Sequence, residues 1–579
     1  MAFTLSPGVS IVEKDLTNVV PAVSTSAGAF AGPFAWGPVL DPVLITSENE
    51  LAARFGKPVD GNAASWLTAA NFLAYSNRLQ TVRVATAGAR NAVELPNPEG
   101  NEVFIKNEQH YTEVYSDGND DTVGLFAAKY PGKMGNSIGV FMADSATFSN
   151  WSVIINDGEQ NEVTLNLASL FDSTPTTSSY VANRGGSNDE LHIAVIDTRG
   201  VWTGVVGAVL EKFSYVSKAF DGRKSDGANN YYKDVINTQS KYVWWMDHPS
   251  VGTNWGVVAD DITFTSLSTA TKSILAGGAD DFDADDGDYQ DGYAIFQNAE
   301  EYDISLIPAG AVSGAVAKWI IDNVAETRKD CIVFVSPVDA ISGDVITGAD
   351  ATEKVIAFRN SASFNANSSY AVLDSGYKYQ YDRYNDKYRW VPLNGDIAGL
   401  CARTDYTNDT WWSPGGLNRG QVKNVVKLAF NPNQAQRDEL YKSGVNPVVS
   451  LRGQGVVLFG DKTLLAKPSA FDRINVRRLF IALEKAIATA AQYQLFEFND
   501  AFTRAQFRSM IEPFLRDVQG RRGITDFRVV CDETNNTGEV IDQNRFVASI
   551  FLKPNRVINF IELSFVAVRT GISFEEVGG

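Results

Sequence analysis

The periodicity of apolar positions is clearest in the C-terminal part of the chain, where it predicts two amphipathic helices. In FDRINVRRLFIALEKAIATAAQ, apolar residues recur every three or four positions and so share one helix face. FTRAQFRSMIEPFLRDVQG has the same spacing, and Pro513 within it predicts a kink or a shifted hydrogen-bond ladder. The apolar positions are Val476, Leu479, Phe480, Leu483, Ile487 and Ala490 in the first helix, and Phe507, Met510, Ile511, Phe514 and Val518 in the second.

Two kinds of segment alternate in residues 23–90 and 292–425: runs of consecutive apolar residues, and stretches in which apolar residues recur every three or four positions. This alternation of strand and helix patterns predicts an α/β layer. The run GAFAGPFAWGPV reads as a buried strand that leads into a turn. Ser47, with Glu50 three residues later, has the spacing of a capping box at a helix N-terminus. We therefore expect both ranges to form one α/β domain.

Residues 91–291 have a different pattern, because helical spacing nearly disappears from them. Short alternating runs such as NWSVIIND and LHIAVIDTRG take its place. This predicts one or two β-rich modules inserted into the α/β domain. The remaining range, 426–579, holds the two amphipathic helices and is expected to form an α+β domain.

Both extremes of the sequence resemble short strands. Val9 and Ile11 alternate with Ser10 and Val12, and residues 1–22 form an arm before the first buried strand. Near the other end, Gly571 precedes a second short alternating run, Ile572, Ser573, Phe574 and Glu575. Strands of four residues at a terminus are too short to hold themselves in a sheet, so each is expected to need an edge supplied by other residues.

The charge of the chain excludes some partners. A formal net charge of −19 argues against a nucleic-acid coat and against general attraction to anionic membranes. The charge is uneven: residues 1–419 carry 29 Lys and Arg against 52 Asp and Glu, whereas residues 420–579 carry 21 against 17. Either this uneven distribution of charge is accidental, or the less acidic C-terminal part faces an acidic partner. No secretory signal or long apolar span is recognisable, so membrane insertion is not expected.

The sequence offers little catalytic chemistry. Its histidines, His110, His192 and His248, lack metal-ligand spacing, and its three cysteines form no CxxC pair. There is no GxSxG elbow and no phosphate-binding loop. We therefore predict no catalytic residues, no metal site and no cofactor.

Two polar clusters have alternative interpretations. The seven aspartates of GGADDFDADDGDYQDGY could attract calcium, but their spacing does not fit a calcium loop, and a solvated acidic loop is the other interpretation. In YKYQYDRYNDKYRW, Tyr377, Tyr379 and Tyr381 alternate as on one strand face. This favours a structural hairpin over a surface that stacks on sugars or bases.

An ordered set of stretches resembles the contractile tail sheath proteins of myovirus-type bacteriophages. It covers both ends and the middle of the chain, but leaves the insertion from about 91 to about 275 without a match. The stretches are SPGVSIVEKD, GAFAGPFAWGPV, FGKP, LQTVRVA, ILAGGADD, DISLIPAG, LNGDIAGLCARTDYTNDTWWSPGG, NPVVSLRGQGVVLFGDKTLL, INVRRLFIALEKAI and RVINFIELSFVAVRTGISFEE.

The resemblance implies a multidomain α/β and α+β fold. The α/β middle domain is interrupted by the β-rich outer insertion, and the N-terminal arm joins the C-terminal part in an inner domain. In this family both terminal strands pair with sheets of neighbouring subunits, and here Gly571 and residues 17–21 would be hinges. The resemblance also implies a homo-oligomer of stacked rings or a helical sheath, located in the virion and assembled in the host cytoplasm. Its partners would be the tail tube, baseplate and tail terminator proteins.

The family architecture gives the basic residues of the second amphipathic helix a possible use. Arg504, Arg508 and Arg516 recur on its polar side, followed by Arg521 and Arg522. The resemblance makes these five residues candidates for facing the tail tube. Alternatively, the stripe is a solvated helix face or forms internal ion pairs with Glu512 and Asp517.

Two other functions compete with the structural one. A β-rich receptor-binding or adhesin protein would use the insertion and its aromatic residues, and would function without the termini. A glycan hydrolase would need a pair of carboxylates, but no pair can be selected among 69 acidic residues. The resemblance favours a non-enzymatic subunit of a contractile sheath.

Overall fold

The computed structural model describes residues 24–86, 88–95, 103–118, 123–156, 162–559 and 561–562. These residues form two compact units. The larger unit comprises Ser24–Thr410 and Pro414–Ile474, and the smaller unit contains Trp411–Ser413 and the described residues from Asn475 onward. The mixed α/β, multidomain architecture agrees with the sequence-based expectation.

A seven-stranded sheet lies at the centre of the larger unit. Six of its strands are mutually parallel, and the last one is an antiparallel edge. Gly28–Pro33, near the middle, is buried throughout because helices cover the sheet, which explains its uninterrupted apolar sequence. In spatial order the strands are Val445–Asn446, Ala371–Asp374, Ile332–Val335, Leu306–Pro308, Gly28–Pro33, Leu79–Val84 and Val43–Ile45.

The first helix of the α/β layer, Glu48–Phe55, begins where the sequence supplies a cap. The Ser47 side chain accepts a hydrogen bond from the Glu50 amide, as predicted, whereas the Glu50 carboxylate accepts from the Thr46 amide rather than from Ser47. The helices are Glu48–Phe55, Ala63–Leu73, Asp286–Ala294, Gly314–Ile320, Glu326–Arg328, Ala351–Asn360, Asn394–Thr407 and Gln434–Lys442, with a π-helical turn at Ile321–Ala325.

The aspartate-rich segment corrects one of the two interpretations drawn from the sequence. Part of the expected acidic loop is the helix Asp286–Ala294, which starts there because Asp285 and Asp288 form a reciprocal capping box. Among the described residues, no group of three or more His, Cys, Asp or Glu side chains is arranged to hold a metal ion.

The β-rich region between the two parts of the α/β layer is built from antiparallel sheets, as its alternating pattern predicts. Its largest sheet has the order Thr271–Ile274, Ile138–Asp144, Glu190–Asp197 and Ala208–Ser217. Two further pairs are Phe126–Ala128 with Val243–Trp245, and Ser152–Asn156 with Glu162–Asn166. Its helices are Glu108–Val114, Ser179–Ala182 and Tyr232–Gln239.

The aromatic cluster forms the structural hairpin that the sequence favours. Tyr377–Asp382 pairs with Lys387–Pro392, and Lys427–Leu428 adds a third strand. A second hairpin joins Val448–Leu451 to Gly455–Leu458. Residues 426–474 therefore pack in the larger unit, although the sequence assigned them to the C-terminal domain; the domain limits stay predictions.

Two long helices form the framework of the smaller unit. Ile474–Gln492 begins at the boundary between the units, and Ala501–Gly520 continues through Pro513. Their predicted apolar faces supply its core, which includes Leu479, Leu483, Phe507 and Ile511. The unit also contains the strands Ile524–Val530 and Ser549–Pro554 and the short helix Gly538–Asp542. No helix in the described part of the chain combines the length and apolarity needed to span a membrane.

Candidate assembly interface

The residues predicted to exchange between subunits lie outside the described part of the chain. This applies to Val9, Ser10, Ile11 and Val12 of the arm, and to Gly571, Ile572, Ser573, Phe574 and Glu575. Their role in strand exchange therefore stays a prediction. The described residues include a hairpin that we expect such strands to join.

A two-stranded antiparallel hairpin in the smaller unit has the edges that an added strand needs. Ile524–Val530 pairs with Ser549–Pro554, with a bulge between Ile524 and Asp526. Within the described residues neither strand pairs with a third one. Each strand therefore has an outer edge that another strand can join, because it has a partner on one side only. Two carbonyls of the first strand, those of Thr525 and Val530, already accept hydrogen bonds from the side chains of Gln519 and Asn535.

The helices hold this hairpin by its apolar face. Phe527, Val529, Ile550 and Leu552 pack against the core of the smaller unit. The opposite face is exposed and carries the Phe551 ring as well as an ion pair between Lys553 Nζ and Asp526 Oδ2 at 2.9 Å. One face of the hairpin is therefore covered by the core of the smaller unit, and the other face is exposed to solvent.

Arg504 does not lie on the exposed side of its helix, contrary to the expectation from spacing. Its residue is 6% exposed, and Nη1 donates to Asn499 Oδ1 at 2.8 Å and to the Asn499 carbonyl at 3.3 Å. The loop before the helix folds over the side chain and uses its donors. Arg504 is therefore a structural residue of this unit.

The other arginines of the stripe lie at the surface of the smaller unit. Arg508 Nε and Arg516 Nη2 lie 3.8 Å and 3.7 Å from the Glu512 carboxylate, and Arg521 Nη1 lies 3.4 Å from Asp517 Oδ2. These are the internal ion pairs that the sequence offered as the alternative. Such exposed pairs are weak, so their arginines can still engage another charged surface.

The two arginines after the helix are positioned by tryptophans. The guanidinium carbons of Arg521 and Arg522 lie 5.2 Å and 5.6 Å from the ring centroids of Trp411 and Trp412. Arg522 has a left-handed backbone, with φ of 67°, and follows the helix C-terminus. Both exposed guanidinium groups are thereby placed at one end of the helix.

An exposed apolar segment between the two long helices was missed by sequence reasoning. We call Tyr493, Leu495, Phe496, Phe498 and Phe502 the apolar loop, of which Phe502 already belongs to the first turn of the second helix. Every one of them is at least 64% exposed. The available signal was five large apolar residues within ten positions, four between the two predicted helices and Phe502 at the start of the second. Because large exposed apolar patches are uncommon on monomers, this segment is a second candidate contact surface.

A buried polar network at the carboxyl ends of the parallel strands has no catalytic geometry. Ser336 Oγ donates to Asp374 Oδ2 at 2.7 Å and accepts from the Asn394 amide at 2.9 Å. The Gly376 amide donates to Asp374 Oδ1 at 2.7 Å. Burial raises the pKa of the Asp374 carboxyl well above its ordinary value. The network joins adjacent strand ends to the helix that begins at Asn394.

Comparison with known proteins identifies the family. The model of the phage tail sheath protein central domain matches residues 284–464, and that of the phage tail sheath C-terminal domain matches 466–567. The tail sheath protein Gp18 domain III N-terminal region matches residues 28–84.

Full-length relatives agree with these matches. The tail sheath protein of Vibrio phage KVP40 is 35% identical over 99% of this chain and 100% of its own length, and that of Enterobacteria phage T4 is 32% identical over 99% of each. The crystal structure of the sheath tail protein from Listeria innocua shares the fold, with a TM-score of 0.53 at 12% identity over 93% of this chain and 97% of that one. The chain belongs to the phage tail sheath protein family and is a structural subunit of a contractile sheath.

Proposed function

We propose that copies of this chain polymerise around a tail tube in a metastable extended state, linked by exchange of short strands. Contraction to a lower-energy state then drives the tube through the host envelope. The observation that carries the proposal is the hairpin Ile524–Val530 with Ser549–Pro554, whose strands lack a third partner among the described residues.

Strand exchange gives the terminal segments the hydrogen bonds that they cannot make alone. Residues 9–12 of one neighbour and 572–575 of another add to the two edges of the hairpin by β-augmentation. Gly571 acts as one hinge, because glycine adopts backbone conformations that other residues avoid. Residues 17–21 act as the other hinge, between the arm and the body of the subunit. The pairing then persists while the bodies of the subunits rotate and slide.

The surface arginines of the second long helix hold the tube. Arg508, Arg516, Arg521 and Arg522 face an acidic tube surface, which the exposed positions of these side chains support. Exposed ion pairs of this kind weaken as salt rises, so they position the tube and still release it. Arg504 is left out of this contact because its side chain is buried.

The remaining partners follow from the architecture of a contractile tail. The sheath is nucleated at a baseplate and closed by a tail terminator protein, and it is assembled in the host cytoplasm before it becomes part of the virion. Each chain acts structurally, without a cofactor, and the energy of contraction is stored in the extended arrangement of subunits.

Electron microscopy of the purified chain tests this function. The full chain is compared by negative staining with a chain that ends at residue 570, both with and without purified tube and baseplate. We expect tubular sheaths from the full chain and monomers from the shortened one, with unchanged thermal unfolding of the monomer. Equal assembly of the two chains would contradict strand exchange, and absence of sheaths from the full chain with tube and baseplate present would contradict polymerisation.

A further inference from the structure

His192 is fully buried in the largest sheet of the β-rich region, and both of its ring nitrogens are bonded to the main chain. Nε2 lies 2.9 Å from the Ser173 carbonyl oxygen, and the Tyr215 amide nitrogen lies 3.1 Å from Nδ1. Because a carbonyl only accepts and an amide N–H only donates, Nε2 carries the proton and Nδ1 does not. These contacts fix the imidazole in its neutral Nε2–H form.

The residue that donates to His192 is the strained residue of a β-bulge. Opposite His192, the strand Ala208–Ser217 has two residues, Ser214 and Tyr215, instead of one. Tyr215 has a left-handed backbone, with φ of 54°, which a bulky side chain rarely adopts. The His192 side chain therefore supplies an acceptor for the amide of a residue whose conformation is unfavourable by itself.

The same imidazole holds residues 171–173 against the sheet. The Phe171 ring stacks on it, with the ring centroids 4.3 Å apart, and the Tyr215 hydroxyl lies 2.6 Å from Ser173 Oγ. Phe171 is almost buried and belongs to a core cluster that includes Trp151. His192 thus joins the bulge to a segment that covers apolar core.

The charged groups around this imidazole come from each element packed near it, except the 3₁₀ turn Phe148–Asn150, which contributes an aromatic ring. They are Asp172 in the covering segment, Lys212 on the bulged strand, Glu190 on the strand of His192, and Asp144 on the neighbouring strand, where it forms an ion pair with Lys218. Glu190 also accepts a hydrogen bond from the Thr176 amide at 2.9 Å.

Two of these side chains titrate with opposite consequences. Burial lowers the pKa of the His192 imidazole, although the Ser173 carbonyl and Asp172 act in the other direction. Burial raises the pKa of the Glu190 carboxyl. The folded chain therefore takes up the His192 proton less readily than an open segment does, whereas it retains the Glu190 proton more readily. On acidification, the His192 proton destabilises the closed arrangement and the Glu190 proton does not.

We propose that His192 is the proton-sensitive element of a switch in the β-rich region, which is closed while the imidazole is neutral and is opened by its protonation. A proton on Nδ1 faces the Tyr215 N–H, so repulsion between two donors replaces the hydrogen bond. The bulge loses the bond that holds its left-handed residue, and residues 171–173 lose their anchor. Acid thereby uncovers Phe171 and the core cluster beneath it. The switch is independent of the proposed strand exchange.

Nuclear magnetic resonance of the full chain with labelled histidine tests the switch. The sequence has three histidines, so single His→Gln variants assign each signal. We expect His192 to be the Nε2–H tautomer at neutral pH and to titrate below the ordinary histidine value of about 6.5. An Nδ1–H tautomer, or titration at or above the ordinary value, would overturn the proposal.

Hydrogen exchange measures the opening itself, on peptides that cover residues 208–217. Protection of the Tyr215 amide should fall by about tenfold between about pH 7 and about pH 5, because the open form gains the proton first. Unchanged protection over this range would overturn the proposal, and this measurement on the unmodified chain decides it even where a variant does not fold.

Variants identify the group that binds the proton. His192→Gln keeps a donor and an acceptor that do not titrate, so its protection should not depend on pH in this range. Glu190→Gln and His110→Gln remove other titratable groups of the β-rich region and should keep the acid response. An acid response that persists in His192→Gln, or that disappears in Glu190→Gln, would contradict the assignment to His192.

Discussion

Phe496 combines two unfavourable features at a single residue, a left-handed backbone and an exposed ring. Phe496→Gly removes both, and relief of the left-handed strain is worth about 1 kcal/mol. We therefore expect the monomer to keep or gain stability in thermal unfolding, while sheath assembly becomes weaker. The matched control is Phe498→Gly, where φ is not positive and glycine should cost about 0.5–1 kcal/mol. Lower stability of Phe496→Gly than of Phe498→Gly would contradict this account.

Arg504 and Arg516 occupy the same predicted stripe but should respond differently to substitution. Arg504→Met leaves Asn499 without its donor and should lower the free energy of unfolding by about 1–3 kcal/mol. Arg516→Gln, at an exposed position, should change it by less than about 0.5 kcal/mol. Urea denaturation of both variants measures the difference, and equal effects would show that Arg504 is not a structural residue.

At the scale of elements, the buried Asp374 connects the strand Ala371–Asp374 to its neighbours and makes stability depend on pH. Because its pKa is raised in the folded state, the folded chain keeps this proton to higher pH than the unfolded chain does. The resulting stability is fully present below the ordinary carboxyl pKa and is lost as pH rises through the folded value. As pH rises above the ordinary carboxyl pKa of about 3.9, the free energy of unfolding of Asp374→Asn should therefore fall less than that of the unmodified chain. Parallel pH profiles of the unfolding temperature would contradict this assignment.

The sequence predicted elements well wherever periodicity was strong. The two long helices, the buried strand Gly28–Pro33 and the tyrosine hairpin all occur where apolar spacing placed them. The helix Asp286–Ala294 was missed because seven clustered aspartates resemble a loop, while the capping box that starts the helix depends on two side-chain orientations.

The exposure of candidate surface residues was predicted less well. The spacing of residues shows which face of a helix they share, but it does not show whether another segment of the chain covers that face. Arg504 shares the spacing of Arg508, yet the loop residue Asn499 covers it. Arg83 similarly lies inside an apolar strand and donates to the carbonyls of Gly37 and Pro131, which come from distant parts of the chain. Such contacts depend on tertiary structure and leave no local pattern.

At the scale of the whole molecule, the smaller unit carries a surface suited to joining copies. Its hairpin offers main-chain edges, which suit links that persist during movement. The proposed sheath needs such links, because its subunits must stay connected while they rotate and slide.

Cross-linking between copies tests the central claim, exchange of the terminal strand, most directly. All three native cysteines are buried, so introduced surface cysteines should react selectively. Chains with Ser573→Cys are mixed with chains that carry Arg528→Cys or Phe551→Cys, one on each hairpin strand, assembled, and treated with a short bis-maleimide. Strand exchange predicts dimers that contain one chain of each type, formed only in polymer. Absence of mixed dimers from well-formed sheaths with both acceptor positions would contradict it.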